Sequence, residues 1–245
     1  MGDNSHLWLK KRYGGNDVFQ KFIKIVGLSI ILLVSQISIN QVSAAESDDQ
    51  ELDLAKLQSG EQLEKDGFTV KYYSNEEAAK KIAEDNGVSK ESVLKELKDD
   101  KNSSQKARTS ATANATATGK CATGAVAFSR TLDVTSSYKP KLHIWTELCE
   151  NSSGQYVIKS IIKISIDRSY NGTSKGFNGD ATAKALNSGK TLFYEVQGDF
   201  YNNESTTAGT SVGLNTAAAS VSFNVSQTSN FYEYLYQQDN IRLFD

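Results

Sequence analysis

Few residues in this chain of 245 amino acids have the types and spacing that catalysis requires. Glu195 and Asp199 lie four positions apart in a predicted strand, so their carboxylates face the same side. Glu147 could supply another acid, and glycosidases use two carboxylates that flank the scissile bond. Surface acids often share this spacing, and His143, the only histidine after residue 45, has no second histidine with which to bind a metal. We therefore expect a non-catalytic protein without a cofactor, and glycan hydrolysis ranks third among the functions considered.

The two cysteines, Cys121 and Cys149, both lie in the C-terminal half of the chain. A single pair in an exported protein is typical of a disulfide bond. The alternative is a pair of buried free thiols, which behave as small apolar side chains. We predict the disulfide, and it would leave no thiol for nucleophilic catalysis.

Aromatic residues are the candidates for ligand binding. Tyr232, Tyr234 and Tyr236 alternate along a predicted strand over 231–236, so they are expected to share one face. A solvent-facing stripe of tyrosines can stack on sugar rings or form a protein-binding patch. Trp145, on a predicted strand over 142–148, is the fourth candidate. The alternative is that the tyrosines pack along the fold with their hydroxyls outward.

The N-terminal 45 residues have the features of a signal peptide. An uncharged apolar run over 25–34 follows several basic residues and precedes Val42-Ser43-Ala44, whose small side chains suit signal peptidase. We expect cleavage after Ala44 or Ala45 and secretion to the extracellular medium. A permanent membrane anchor is the alternative, but the run is shorter than the ~20 apolar residues that span a bilayer. The preference for lysine over arginine and the single proline favour a bacterial, Gram-positive source.

The charge of the chain argues against nucleic acid as a partner. Residues 1–45 hold five of the 27 basic and two of the 29 acidic residues, so 22 basic and 27 acidic residues remain in the predicted mature part. A net charge of −5 by this count does not attract polyanions or anionic lipid.

An acidic, mainly helical segment is predicted over 46–104. Ser74 is a good N-cap, and the glycine of Asn86-Gly87 ends that helix. Phe68–Tyr73 is a short strand-like run. We expect a helical hairpin here that packs on the following module, serves as a removable pro-region or is only partly ordered.

The same segment resembles the helix-turn-helix family of DNA-binding motifs over about twenty residues. The resemblance rests on the spacing of apolar residues around a Gly-Val-Ser turn: Ala83, Gly87, Val88, Ser89, Val93 and Leu97. It implies a second helix that reads DNA. That helix carries Lys90, Glu91, Lys95 and Glu96 but no arginine, so a plain helical hairpin fits the residues better.

Residues 105–119 are rich in serine, threonine and alanine and contain no bulky side chain, which predicts a linker. Lys106 and Arg108 are candidate cleavage points in this region.

The C-terminal module, residues 120–245, alternates apolar and polar residues with the period of a strand. We predict turns at Asn171-Gly172, Asn178-Gly179 and Asp239-Asn240, the last inside a C-terminal hairpin, and either a bulge or a turn near Ala217. Seven to nine short strands indicate a mainly β fold, an antiparallel β-sandwich or barrel-like module.

Two functions remain beside hydrolysis. The first is a secreted binding protein whose sandwich recognises an extracellular glycan or protein. The alternative is a membrane-active toxin or bacteriocin-like effector made as a precursor, because residues 205–226 are uncharged and alternate as membrane-inserting strands do. Membrane insertion is expected only under this second hypothesis.

Overall fold

The computed structural model describes residues 52–107, 120–202, 205–226, 228 and 230–244. The predicted signal peptide and most of the predicted linker lie outside these ranges. The first part contains α1 (Leu54–Gln58), β1 (Gln62–Lys65), β2 (Phe68–Tyr73), α2 (Asn75–Asn86) and α3 (Lys90–Ala107). The second part contains the remaining strands: β3 (Ala125–Thr131), β4 (Lys141–Glu150), β5 (Tyr156–Asp167), β6 (Ser169–Tyr170), β7 (Thr173–Ser174), β8 (Gly176–Leu186), β9 (Thr191–Tyr201), β10 (Thr206–Val212), β11 (Ala218–Val225) and β12 (Phe231–Arg242).

Two five-stranded antiparallel sheets form the body of the protein. The first sheet has the order β1-β2-β3-β4-β5 and the second has the order β10-β11-β8-β9-β12, while β6 and β7 form a separate small hairpin. The mainly β, antiparallel fold predicted from the alternating pattern is therefore confirmed.

The main core lies between the two sheets and follows from the alternation along each strand. In β4, Leu142 and Ile144 belong to this core, whereas Trp145 belongs to a second one on the other face. Phe177 and Phe200 contribute from the second sheet, with ring centroids 4.9 Å apart. Side chains of the two sheets thus pack against one another as in a sandwich.

A layer of two helices covers the outer face of the first sheet. Ile82 of α2 and Leu97 of α3 pack with Trp145 and Ile162 in the second core. Ser74 forms a capping box with Glu77 at the start of α2, and Gly87 ends α2 in the left-handed conformation, with φ of 65°. The predicted helical hairpin is confirmed, and its apolar residues face the sheet.

The acidic segment also supplies two strands of the first sheet. β2 pairs with β3 from Phe68↔Arg130 to Tyr73↔Ala125, so the strand-like run is a sheet strand with neighbours on both sides. Phe68 and Val70 have no exposed surface and belong to the core between the sheets. All described residues lie within one compact unit, Asp49–Asp245.

Two of the predicted turns were wrong, because long strands pass through them. Asn178-Gly179 lies inside β8, where Gly179 pairs with Gly198 of β9. A Cβ on either glycine would come within 2.9 Å of the Phe177 ring and closer still to backbone atoms, so both positions need glycine for close packing. Asp239-Asn240 lies inside β12, which is continuous and forms no C-terminal hairpin.

The turn at Asn171-Gly172 is confirmed between β6 and β7, with positive φ at both residues. Near Ala217 the structure has a turn between β10 and β11, one of the two predicted forms. This turn also joins the sheets, because the Ile161 amide donates to the Thr216 carbonyl at 2.8 Å and the Asn215 amide donates to the Ile161 carbonyl at 2.6 Å.

Candidate functional site

A bulge at the start of β12 separates the three candidate tyrosines. The pairing with β9 shifts between Phe231 and Glu233, so Tyr232 turns away from the face occupied by Tyr234 and Tyr236. Tyr234 and Tyr236 remain 54% and 53% exposed. The predicted stripe of three tyrosines is therefore a pair.

Tyr232 instead packs within the fold. Its ring packs edge-on against Tyr138, with 5.9 Å between centroids, and the Lys175 ammonium lies 3.6 Å from its ring centroid. Its hydroxyl lies 2.9 Å from the Thr135 hydroxyl. The contacts with Thr135 and Tyr138 hold the start of β12 to the loop between β3 and β4, so Tyr232 is not available for stacking on a ligand.

Tyr234 and Tyr236 stand on the outer face of the second sheet beside hydrogen-bonding side chains of β9. Tyr234 pairs with Asp199 and Tyr236 pairs with Gln197 across the two strands. The Tyr236 hydroxyl donates to Glu195 Oε2 at 3.4 Å. We call the set Tyr234, Tyr236, Glu195, Gln197 and Asp199 the tyrosine face. Every residue of this set is partly or fully exposed, so no described element covers it.

The tyrosine face is acidic, and its carboxylates are held by neighbouring hydroxyls. Asp199 Oδ2 accepts a hydrogen bond from the Tyr201 hydroxyl at 3.2 Å. Asp180, on the next strand, accepts one from Ser222 at 2.6 Å. Desolvation, followed by the charge of Glu195, raises the pKa of Tyr236. The arrangement combines exposed rings with fixed acceptors, which suits a neutral polyhydroxylated ligand better than an anionic one.

Trp145 lies in a different part of the molecule from the tyrosines. It has no exposed surface and packs against Tyr73, with ring centroids 5.2 Å apart, beneath the helical layer. Its indole Nε1–H donates to Ser165 Oγ at 3.1 Å. Trp145 therefore stabilises the second core and is absent from any surface that could bind a ligand.

The structure separates Glu147 from the other two acids considered for glycan hydrolysis. Glu147 lies on β4 of the first sheet, where it accepts a hydrogen bond from Ser160 at 3.4 Å. Glu195 and Asp199 lie on β9 of the second sheet. The structure thus places Glu147 in a different sheet from the other two acids.

The predicted disulfide is present. Cys121 is bonded to Cys149, and the two residues also form an isolated antiparallel bridge. The bond ties the chain just before β3 to the end of β4. It adds a covalent link between neighbouring segments of the first sheet.

A cluster of buried and half-buried polar side chains lies between α2 and the first sheet, and sequence analysis did not identify it. Lys81 Nζ donates to Asp85 Oδ1 at 3.0 Å and to Asp167 Oδ2 at 2.7 Å. The Ser165 hydroxyl donates to Asp85 Oδ2 at 2.7 Å. His143 Nδ1 lies 2.7 Å from Ser129 Oγ. The available signal was a Lys–Asp pair four residues apart within the apolar stripe of α2, where charges are rare.

Burial changes the ionisation of this cluster. Desolvation, followed by the positive charge of Lys81, lowers the pKa of His143 to about 4, so the imidazole is neutral near pH 7. Desolvation raises the pKa of Asp85. Desolvation also acts to raise the pKa of Asp167, but the hydrogen bonds from Lys81 and from the Ser169 amide outweigh it, so this pKa is lowered.

The low pKa of His143 predicts acid sensitivity. Below pH 6.5 the unfolded chain binds a proton on this imidazole, whereas the folded chain does not until about pH 4, so the stability from the neutral imidazole is lost as pH falls through this window. Between pH 7 and pH 4.5 the free energy of unfolding should fall in both proteins. We expect the fall to be larger for wild type than for His143→Gln, by on the order of 2–3 kcal/mol. Urea unfolding of both proteins at the two pH values measures this difference. Asp85 and Asp167 are present in both proteins, so only His143 can cause a difference between them. Equal falls in unfolding free energy would contradict the prediction.

One cavity lies at the edge of the first sheet, between α1, β1 and the turn before β5. Its volume is about 440 Å³, and four leucines with charged neighbours line one side. These leucines are Leu52, Leu54, Leu57 and Leu63. It is separate from the tyrosine face.

Fold and site together define a class: an antiparallel two-sheet sandwich with a helical layer on one side and an open, polar-aromatic face on the other. Comparison of the chain with protein-family models, with curated proteins and with solved structures finds no match. Within the described ranges, no helix has the length and apolarity needed to cross a bilayer.

Proposed function

We propose that this is a secreted, non-catalytic bacterial protein whose second sheet binds a neutral extracellular glycan through the tyrosine face. The supporting observation is the pair Tyr234 and Tyr236, each more than half exposed, beside side-chain acceptors on an uncovered sheet. Aromatic rings contribute apolar contact to the faces of sugar rings, and the acceptors bind hydroxyls. The acidic neighbours Glu195 and Asp199 disfavour a polyanionic ligand.

The test is retention of the protein on insoluble neutral polysaccharides such as cellulose, chitin and a β-glucan. Tyr234→Ala combined with Tyr236→Ala is expected to weaken binding roughly tenfold or more, because the apolar contact of two rings is lost and about 1.4 kcal/mol corresponds to a factor of ten. The double phenylalanine variant keeps both rings and should retain most of the affinity.

A matched control is Leu186→Ala, which removes an exposed apolar side chain, 42% accessible, at the far end of β8. It should bind as wild type does. Equal binding by the double alanine variant and wild type would refute the proposed site. If wild type is retained on none of the three polysaccharides, the proposal that the ligand is a neutral glycan is refuted.

One observation favours the membrane-active alternative as a second candidate. β10 and β11 form an uncharged hairpin at the edge of the second sheet, where only β11 is held by a further strand. Against it, Val221 and Phe223 are buried between the sheets. Release of a dye trapped in liposomes separates the two functions, because a glycan-binding protein should release none.

A further inference from the structure

We propose that Asp85, His143 and Asp167 form a binding site for a divalent transition-metal ion such as Zn²⁺. The three residues come from α2, β4 and the end of β5, and one potential ligand atom from each lies within 4.8 Å of the other two. One imidazole nitrogen and two carboxylate oxygens are ligands that Zn²⁺ accepts. Small movements of the side chains would bring these atoms to coordination distance.

His143 supplies the observation that points to a ligand. It is 6% exposed, and its Nδ1 is engaged by the Ser129 hydroxyl. Its Nε2 is buried and has no hydrogen-bond partner among the described residues. A buried ring nitrogen without a partner is costly, and a neutral imidazole offers its lone pair to a metal.

Neighbouring groups orient the ligands as a second coordination shell does. Ser129 holds the ring of His143 through Nδ1. Ser165 donates to Asp85 at 2.7 Å, and the Ser169 amide donates to Asp167 Oδ1 at 3.0 Å. Such partners fix the direction of the ligands before an ion arrives.

Lys81 occupies the cation's position in this structure. Its ammonium contacts both carboxylates, at 3.0 and 2.7 Å, and partly neutralises them. A bound dication would remove the need for this charge and would repel it. The side chain of Lys81 is 29% exposed, so it can withdraw to solvent. The site therefore implies competition between a lysine and a metal ion.

Because Lys81 and the metal ion compete for the same carboxylates, removal of Lys81 should strengthen metal binding. Zn²⁺ is titrated by calorimetry at pH 7.5 into the full chain carrying His6→Ala, which removes the other histidine of the sequence. Lys81→Met is expected to bind one Zn²⁺ at least tenfold more tightly than the parent, because the competing cation is absent. His143→Gln, added to Lys81→Met, should reverse that gain. Lys80→Met, which removes an exposed lysine from the neighbouring position of α2, should change nothing.

Thermal unfolding provides a readout that does not depend on calorimetric heats. Lys81→Met should unfold at a lower temperature without Zn²⁺, because two carboxylates are left facing each other, and Zn²⁺ should restore it. If His143→Gln does not fold, Asp167→Asn takes its place, since Asp167 is nearer the surface. Absence of one-site binding in Lys81→Met, or binding that neither variant reduces, would overturn the proposal and leave the cluster a structural ion-pair network.

Discussion

A chain that begins at Lys120 is expected to lose cooperative unfolding, although it retains every strand from β3 to β12. It would lack β2, so β3 would become an unpaired edge. It would also lack Phe68 and Val70, which are fully buried between the sheets, and the helices that cover Trp145. An exposed edge beside an apolar face of this kind favours aggregation. Urea unfolding followed by circular dichroism, compared with the full chain, measures the effect.

Cleavage without removal is the matched control for this deletion. Proteolysis confined to residues 108–119 cuts the chain but breaks none of the pairs between β2 and β3. The two fragments should therefore stay together in size-exclusion chromatography and unfold as one unit. A folded chain from Lys120 onward, with stability close to that of the full protein, would contradict the prediction and favour a removable pro-region.

Replacing Trp145 with alanine is expected to lower the free energy of unfolding by about 3–5 kcal/mol, the usual cost of emptying a buried tryptophan site. The ring has no exposed surface and packs against Tyr73 and the helical layer. Its removal would leave a cavity under α2 and would remove the hydrogen bond that the Ser165 hydroxyl accepts from the indole. Chemical denaturation followed by tyrosine fluorescence or by circular dichroism measures this loss.

Two further substitutions separate packing from hydrogen bonding at this position. Trp145→Phe keeps most of the apolar volume but loses the bond to Ser165, so it should cost roughly 1–3 kcal/mol, less than alanine. Val88→Ala removes an exposed side chain, 48% accessible, beside the same helices and should change stability by less than about 0.5 kcal/mol. A loss below about 1 kcal/mol for Trp145→Ala would show that the second core contributes little.

Local patterns in the sequence determined much of the fold. The alternation of apolar and polar residues after residue 120 predicted strands, and in β4 the structure places Leu142 and Ile144 in one core and Trp145 in the other. The serine cap and the glycine at position 87 predicted the helical hairpin. Each of these features depends on residues close in sequence, where sterics and hydrogen bonding act without distant partners.

Local signals misled where distant contacts outweighed them. Asn178-Gly179 has the residue types of a turn, yet Gly179 packs against Gly198 and the ring of Phe177 in the middle of the second sheet. Asp239 likewise lies inside β12, where its carboxylate pairs with Arg130 of the first sheet at 3.0 Å. In both strands the sheet provides hydrogen-bond partners for the backbone N–H and C=O groups, and this outweighs a weak local preference for a turn.

The pairing of strands and the composition of the sites were decided only by the tertiary structure. β2 pairs with β3 across the whole helical hairpin and the predicted linker, and this choice rests on burial of Phe68 and Val70 between two sheets. A single bulge separates Tyr232 from Tyr234 and Tyr236. The cluster around His143 joins residues from one helix and three strands. Composition and periodicity carry no record of such contacts, because their free energy arises only when distant segments are packed together.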